Sequence, residues 1–393
     1  MQLPTSLTPD HLGAVLFWAG ILQCAWTFVL YPLLIQMLAS PARSHGTAKD
    51  GVRNTGLPTV TVLIAAYNEE SRIGPRIQNL LACEYPGGLL DILVVSDGST
   101  DTTAHLVADL HVDNVRVLEL AEKSGKPSCL NAGVQEARGD VLVFADARQD
   151  FEKDAILQLV RHFECPEVTA VSGELFPHGS KAGTAQGIDF YWKLEKKLRH
   201  AESILDSCIG CTGAIYAMRR EFYQPLPSDT LLDDVVLPMQ AAFRGGRVLF
   251  EPSARAHDPQ PLEPAREKLR KTRTLAGNFQ MLFRYPQWLL PWRSRLWWKL
   301  ASHKYSRLLT PVSLVAALVG AWLAKSLPLY QAAFWAQTTL YGMAVTGMLC
   351  PGVRTPLLSI PAGFLFLNCM VMRGFLHYLG GGYRSGWGKP TDP

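Results

Sequence analysis

From Thr59 onward, short continuous runs of apolar residues alternate with stretches whose apolar positions recur every three or four residues. "TVTVLIAAY" (59–67) precedes "EESRIGPRIQNLLAC" (69–83), and "LLDILVVSD" (89–97) precedes "TTAHLVADLH" (102–111). "VRVLEL", "SCLNAGVQEA" and "GDVLVFADA" then carry the series to residue 147. Apolar runs of this length suit strands buried on both faces, and amphipathic helices between them predict a parallel α/β sheet covered on both sides. Sheets of this kind bind ligands beyond the carboxyl ends of their strands. The polar residues there are Tyr67, Asn68 and Glu69 after the first strand, Asp97, Ser99 and Asp101 after the second, and Asp146 after the fourth.

A second pattern flanks this one. Between Asp10 and Arg43 there is no Asp, Glu, Lys or Arg, a stretch longer than the ~20 residues that cross a bilayer. It predicts a membrane helix over 11–38. Charge-free runs at 308–324, 326–353 and 355–372 predict about three more within 306–379, followed by a tail at 380–393. Arg43, Lys49 and Arg53 follow the first helix, so the positive-inside rule places the intervening domain, 55–280, in the cytoplasm. A basic amphipathic helix over about 186–205, "YWKLEKKLRHAESIL" at its core, suits either the inner leaflet or a packed surface of the protein itself. The segment 281–305, with Trp288, Trp292, Trp297 and Trp298 among Arg293, Arg295 and Lys299, has the composition of a membrane interface.

Composition agrees: 48% of the 393 residues are apolar and 18% charged. The net charge of +4 suits anionic lipid or an anionic substrate rather than nucleic acid. The eight cysteines are scattered, and the single CxxC of Cys208 and Cys211 lacks the second pair that marks a metal site.

Several of the loops carry chemistry. Asp97-Gly98-Ser99-Thr100-Asp101 can be a turn and helix cap, with Asp101 as the cap and Asp97 left to face the crevice. Lys123 and Lys126 lie in a glycine-containing loop before a helix, where amides and ammonium groups can hold a phosphate or simply be solvated. Asp233 and Asp234 open an amphipathic run, and either favour the helix dipole or supply a general base.

The order "VLIAAYNEE", "VVSDGSTD", "GKPSCLNAG", "VFADARQ", "GCTGAIYAMRR" and "LLDDVVLPMQAAFRGGRVLF" resembles the membrane-anchored family 2 glycosyltransferases, which include chitin-, hyaluronan-, cellulose- and poly-N-acetylglucosamine-type synthases. The resemblance implies a GT-A, Rossmann-like nucleotide-sugar-binding domain between transmembrane helices. It implies that Ala66, Tyr67 and Glu69 line the nucleotide pocket and that Asp97 bonds the uracil of a UDP-sugar. Lys126 and Arg148 would stand on the donor side, and Asp146 would hold Mg2+ or Mn2+ as the first acid of a DxD element whose second acid is here Arg148. Asp234, beside Asp233, would be the general base of an inverting transfer. Gly210, Thr212 and Gly213 would receive the acceptor. The family's QxxRW element is absent; "REKLRKTRTLAGNFQ" stands in its place, with Arg270 and Arg273 to meet diphosphate or acceptor.

The activity implied is extension of an exopolysaccharide, processively, at a bacterial inner membrane, with membrane lipids and a self-associated copy or secretion partner around it. Transfer of one sugar to a polyprenyl-linked acceptor is the alternative, and a catalytically silent glycan-binding scaffold is a third reading.

Overall fold

The computed structural model describes residues 8–45, 56–178, 185–261, 264–350 and 355–381. Lys49, Arg53 and the tail from 382 onward lie outside them. In chain order the elements are α1 (Pro9–Ala25), α2 (Tyr31–His45), β1 (Val60–Ala66), α3 (Glu70–Leu81), β2 (Leu90–Ser96), α4 (Thr103–Ala108), β3 (Val115–Glu119), α5 (Lys126–Glu136), β4 (Val141–Ala145), β5 (Asp150–Phe151), α6 (Ala155–Val160), β6 (Val168–His178), α7 (Ala185–Leu205), β7 (Ile215–Arg219), α8 (Asp233–Phe243), β8 (Arg247–Pro261), α9 (Pro264–Arg284), α10 (Trp297–Lys299), α11 (Ser306–Leu323), α12 (Pro328–Leu349) and α13 (Pro356–Leu379).

The eight strands form one sheet in the order β3-β2-β1-β4-β7-β6-β8-β5. The first four are parallel to one another, as the alternating pattern predicts. Beyond β4 the sheet becomes mixed: β7 is antiparallel to β4 and β6, and β8 runs parallel to β6 through three register shifts. Side chains of β1 alternate between two cores. Leu63 and Ala65 join the layer under α5 and α8, whereas Val60, Val62, Ile64 and Ala66 join the layer under α3 and α6, as a two-sided strand requires. Every polar strand end of the parallel half therefore arrives at one edge.

Among the described residues, three helices are long and apolar enough to cross a membrane: Pro9–Ser40, Trp297–Leu323 and Pro356–Leu379. The sequence pattern predicts four. The run at 326–353 does form a helix, α12, but Gln331, Gln337, Thr338 and Thr339 lower its hydropathy, so the apolar helices of the C-terminal part number two rather than three. Helices α1 and α11 pack through small residues. A Cβ placed on Gly20 would lie 2.4 Å from the Ser313 carbonyl oxygen, and one on Gly13 would lie 2.6 Å from that of Gly320. Such close approach lets backbones meet where apolar burial alone gives no drive.

The basic amphipathic helix is α7, and its stripe is committed to protein. Leu198 and Ala201 are buried against Tyr31, Ile35 and Ala39 of α2. The tryptophans divide: Trp288 is buried beside Phe243 and Tyr285, Trp298 meets Tyr31 edge-on, and Trp292 is 77% exposed.

Candidate active site

The loops after β1 and β2 are tied together by their own polar side chains. Asn68 exchanges hydrogen bonds with Thr100 and accepts φ +53°, a conformation that asparagine tolerates better than most residues. The Asp101 carboxylate accepts from the Thr103 amide and from the Glu70 amide, serving the starts of α4 and α3 together. Against the cost of partial burial, these bonds hold it below the usual carboxylate range. Gly98 sits at φ +62°, and a Cβ there would lie 2.7 Å from backbone atoms of Glu122 and Lys123, so only glycine allows the two loops to meet.

Asp97 is fully buried. Its Oδ1 accepts from the Ser124 amide at 2.6 Å, and its Oδ2 from the Gly125 amide at 2.9 Å. Its own amide donates to the Ala66 carbonyl at 2.8 Å. This aspartate thus fastens the 122–126 loop across the ends of β1 and β2. Over the same ends, the Lys123 ammonium lies 3.8 Å from the centroid of the Tyr67 ring. Glu69 pairs with Arg72 at 2.7 Å. Tyr67 and Lys123 thus meet over the ends of β1 and β2, next to the loop that Asp97 fastens.

The acids lie beside it. Lys126, the first residue of α5, places its Nζ 3.1 Å from Asp146 Oδ1 and 3.3 Å from Asp233 Oδ2. The two carboxylates raise its pKa although burial opposes them. The Asp146 side chain is 40% exposed and that of Asp233 only 7%, so one faces the crevice and the other the protein. Beneath Asp146 lies the buried Arg76, which donates to the Asp146 carbonyl at 3.2 Å while its guanidinium lies 4.1 Å from the centroid of the Phe151 ring. Arg76 is a support that sequence reasoning missed, because its motif is an ordinary helix face.

Asp234 follows Asp233 into α8. Burial, then the neighbouring Asp233 charge, pushes its carboxyl up to about 6, with Lys126 and Lys304 pulling the other way. Its Oδ2 accepts from the Gly213 amide at 3.1 Å, and its carbonyl from the Cys211 amide at 2.7 Å. The 210–214 turn therefore closes over the second acid. Cys208 and Cys211 are buried free thiols, and burial pushes the Cys208 thiol up to about 11.

From the membrane side, α7 supplies groups that no motif announces. Arg199 donates to Thr212, Ser172 and Gly210. Glu202 accepts from the Tyr31 hydroxyl at 2.5 Å and meets His303 at 3.0 Å. Glu195 pairs with Arg307 at 2.6 Å and with His303 at 2.9 Å. Although burial alone would raise it, Arg307 and then His303 hold the Glu195 carboxyl well below its ordinary range. Lys304 is near enough for its charge to bear on Asp234. The only signal for these residues was the charge of the 191–205 helix, and the partners of its Glu195 and Glu202 lie 101 to 171 residues away.

Other expected site residues lie apart. Arg148 pairs with the buried Asp258 of β8 at 3.0 Å and so braces the far side of the Asp146 loop. Arg270 and Arg273 stand exposed on α9. Further along that helix, Gln280 donates to the Asp229 carbonyl and accepts from the Leu231 amide, which fixes the approach to Asp233. Among the described residues no group of three or more His, Cys, Asp or Glu side chains is placed to hold a metal ion.

The sheet is a mixed GT-A-type sheet, with acids at the carboxyl ends of its parallel half and apolar helices on either side in sequence. Residues 61–226 match the model of glycosyl transferase family 2, and the central domain is a family 2 glycosyltransferase domain. The poly-beta-1,6-N-acetyl-D-glucosamine synthase of Staphylococcus aureus (strain COL) is 26% identical over 205 residues, covering 50% of this chain and 49% of that protein. The beta-monoglucosyldiacylglycerol synthase of Nostoc sp. is 34% identical over 119 residues, 29% of this chain and 25% of the other. The chain thus spans about half the length, or less, of these curated relatives. Among solved structures, the mannosyltransferase PcManGT from Pyrobaculum calidifontis, in complex with GDP-Man and Mn2+, superposes with a TM-score of 0.70 at 22% identity, over 94% of this chain and 99% of that one. That likeness extends the shared fold through the membrane helices.

Proposed function

We propose that the protein is an inverting glycosyltransferase that moves a sugar from a nucleotide-sugar, a UDP-sugar by the match of its loops, to a hydroxyl of a glycan at the membrane, lengthening a polysaccharide. The observation that carries this reading is the place of Asp234. A half-buried carboxyl whose pKa is pushed up to about 6 stands next to the Asp146–Lys126–Asp233 set on the donor side and under the turn assigned to the acceptor.

In this mechanism the base of the nucleotide lies against Tyr67, with Lys123 and the loop fastened by Asp97 closing over it. Lys126 stands where a donor diphosphate would arrive, and its ammonium offsets the charge of the phosphates. Asp146 is the residue that would hold a divalent cation. Its half-exposed carboxylate fits a hard cation that keeps most of its shell as water and phosphate oxygens. When bound, such a cation neutralises charge on the departing diphosphate. Asp234 takes the proton from the acceptor hydroxyl as that oxygen attacks the anomeric carbon from the side opposite the diphosphate, which inverts the configuration. The Gly213 amide holds the carboxylate in line for the attack.

The poly-N-acetylglucosamine synthase relative supports polymer extension, and the positive-inside pattern supports a cytoplasmic active site at a bacterial inner membrane. The test is release of nucleotide diphosphate by the full-length protein in detergent, over common UDP-sugars and GDP-mannose, with Mg2+ or Mn2+. Asp234→Asn is expected to lower turnover at least ~100-fold, the scale of general-base loss, with donor affinity within twofold of wild type. Wild-type turnover in that variant would sink the reading.

A further inference from the structure

Arg199 is a side chain that neither the donor pocket nor the acids explain. It projects from α7 and forks: Nη1 donates to Thr212 Oγ1 at 3.0 Å, and Nη2 to Ser172 Oγ at 2.8 Å and to the Gly210 carbonyl at 3.1 Å. Its guanidinium carbon lies 4.9 Å from the centroid of the Phe250 ring. Ser172 also accepts from the Thr212 amide at 2.9 Å. All three acceptors of Arg199 are neutral, so the fork works here as a geometric brace between β6 and the 210–213 turn rather than as half of an ion pair. One residue beyond Thr212, the Gly213 amide reaches Asp234 Oδ2.

The same face of α7 is fixed to the membrane helices, since Glu195 and Glu202 stand one turn to either side of Arg199. Tyr31 of α2 holds Glu202, while His303 and Arg307, in the apolar stretch Trp297–Leu323, hold Glu195. We infer that Arg199 is a positioning residue for the acceptor side of the reaction: it sets the 210–213 turn, and through Gly213 the aim of Asp234, from a helix clamped to the membrane helices. The kinetic part of this inference rests on Asp234 being the base; the structural part does not.

The experiment uses full-length protein in lipid nanodiscs, with Arg199→Lys and Thr212→Val. Lysine keeps the charge but cannot span three acceptors, and valine keeps the shape of threonine without its hydroxyl. Hydrogen exchange of the 210–215 amides is expected to quicken about tenfold in both variants, as local opening becomes easier, while the strands β1 to β4 exchange as in wild type. In turnover, kcat should fall about 10-fold to 100-fold with donor KM within twofold, because misalignment and not donor binding has changed. The acid limb of the pH profile should move to higher pH, since loss of a donor to the carboxylate favours its protonated form.

Unchanged exchange in both variants would overturn the brace. Wild-type kcat and pH profile in Arg199→Lys would overturn the positioning role in favour of charge alone. If Asp234→Asn keeps its turnover, the base assignment falls by itself, and the exchange measurement still decides Arg199. A uniform rise in exchange across the whole domain would make Arg199 a general stabiliser and overturn the inference.

Discussion

Asp233 and Asp234 are adjacent carboxyls in different surroundings. Asp233 shares Lys126 with Asp146, whereas Asp234 is raised first by burial and then by the charge of Asp233. A base acts only when deprotonated, so kcat/KM should climb as pH rises through about 6 and level off above it. A rate–pH profile with no limb near there would count against Asp234. Gly213→Ala probes the same contact, because a Cβ at that position would lie 2.9 Å from Asp234 Oδ2 and must push that carboxylate aside. Transfer is expected to drop about 10-fold to 100-fold, the cost of misplacing a reacting group by an ångström or less, with donor affinity retained.

In the proposed mechanism the donor is held by two crossing loops more than by any single strand. Asp97 receives the Ser124 and Gly125 amides, so Asp97→Ala leaves the buried Gly125 N–H without its acceptor, at ~1–3 kcal/mol, and frees the part-buried Ser124 N–H beside it. The 122–126 loop should loosen and nucleotide affinity fall at least about tenfold by that scale, as read by calorimetric titration with UDP; unchanged affinity would refute the loop's part in the pocket. This half of the molecule was legible in the sequence because parallel strands buried on both faces write themselves as unbroken apolar runs, and because Asp97, Asp101 and Asp146 follow those runs directly. The other half was not. β7 is five residues long, and β8 carries Arg255, His257 and Asp258 among its paired residues, has Glu251 in a register shift, and joins β6 through three such shifts, so neither shows the period of a strand. Arg199 and Lys304 were hidden for a different reason. Their places depend on how α7 docks against its neighbours and against the stretch Leu300–Tyr305 that precedes α11, a tertiary fact that no local spacing encodes.

On the scale of the whole molecule, the membrane helices and the catalytic domain form one mechanical unit rather than an anchor and its cargo. Helix α1 meets α11 through Gly13, Gly20 and Gly320. The same two stretches of chain then reach α7, α1 continuing through Trp26–Leu30 into α2 and Tyr31, and α11 beginning just after His303 and bearing Arg307. If α1 and α11 separate, Tyr31 and His303 cannot both keep Glu202, and α7 loses the footing from which Arg199 reaches the 210–213 turn. Gly20→Leu should do this, since even a Cβ there would lie 2.4 Å from the Ser313 carbonyl oxygen and a leucine overfills the contact, at ~1–3 kcal/mol for such overpacking. The expected outcome is a lower melting temperature in nanodiscs and about tenfold slower transfer, on the scale of a small misalignment, while nucleotide affinity stays at the wild-type value because β1 to β4 and their loops do not touch this contact. Loss of nucleotide binding in step with transfer would mean that the packing of α1 on α11 supports the domain as a whole, and the coupling through α7 would then have no separate existence.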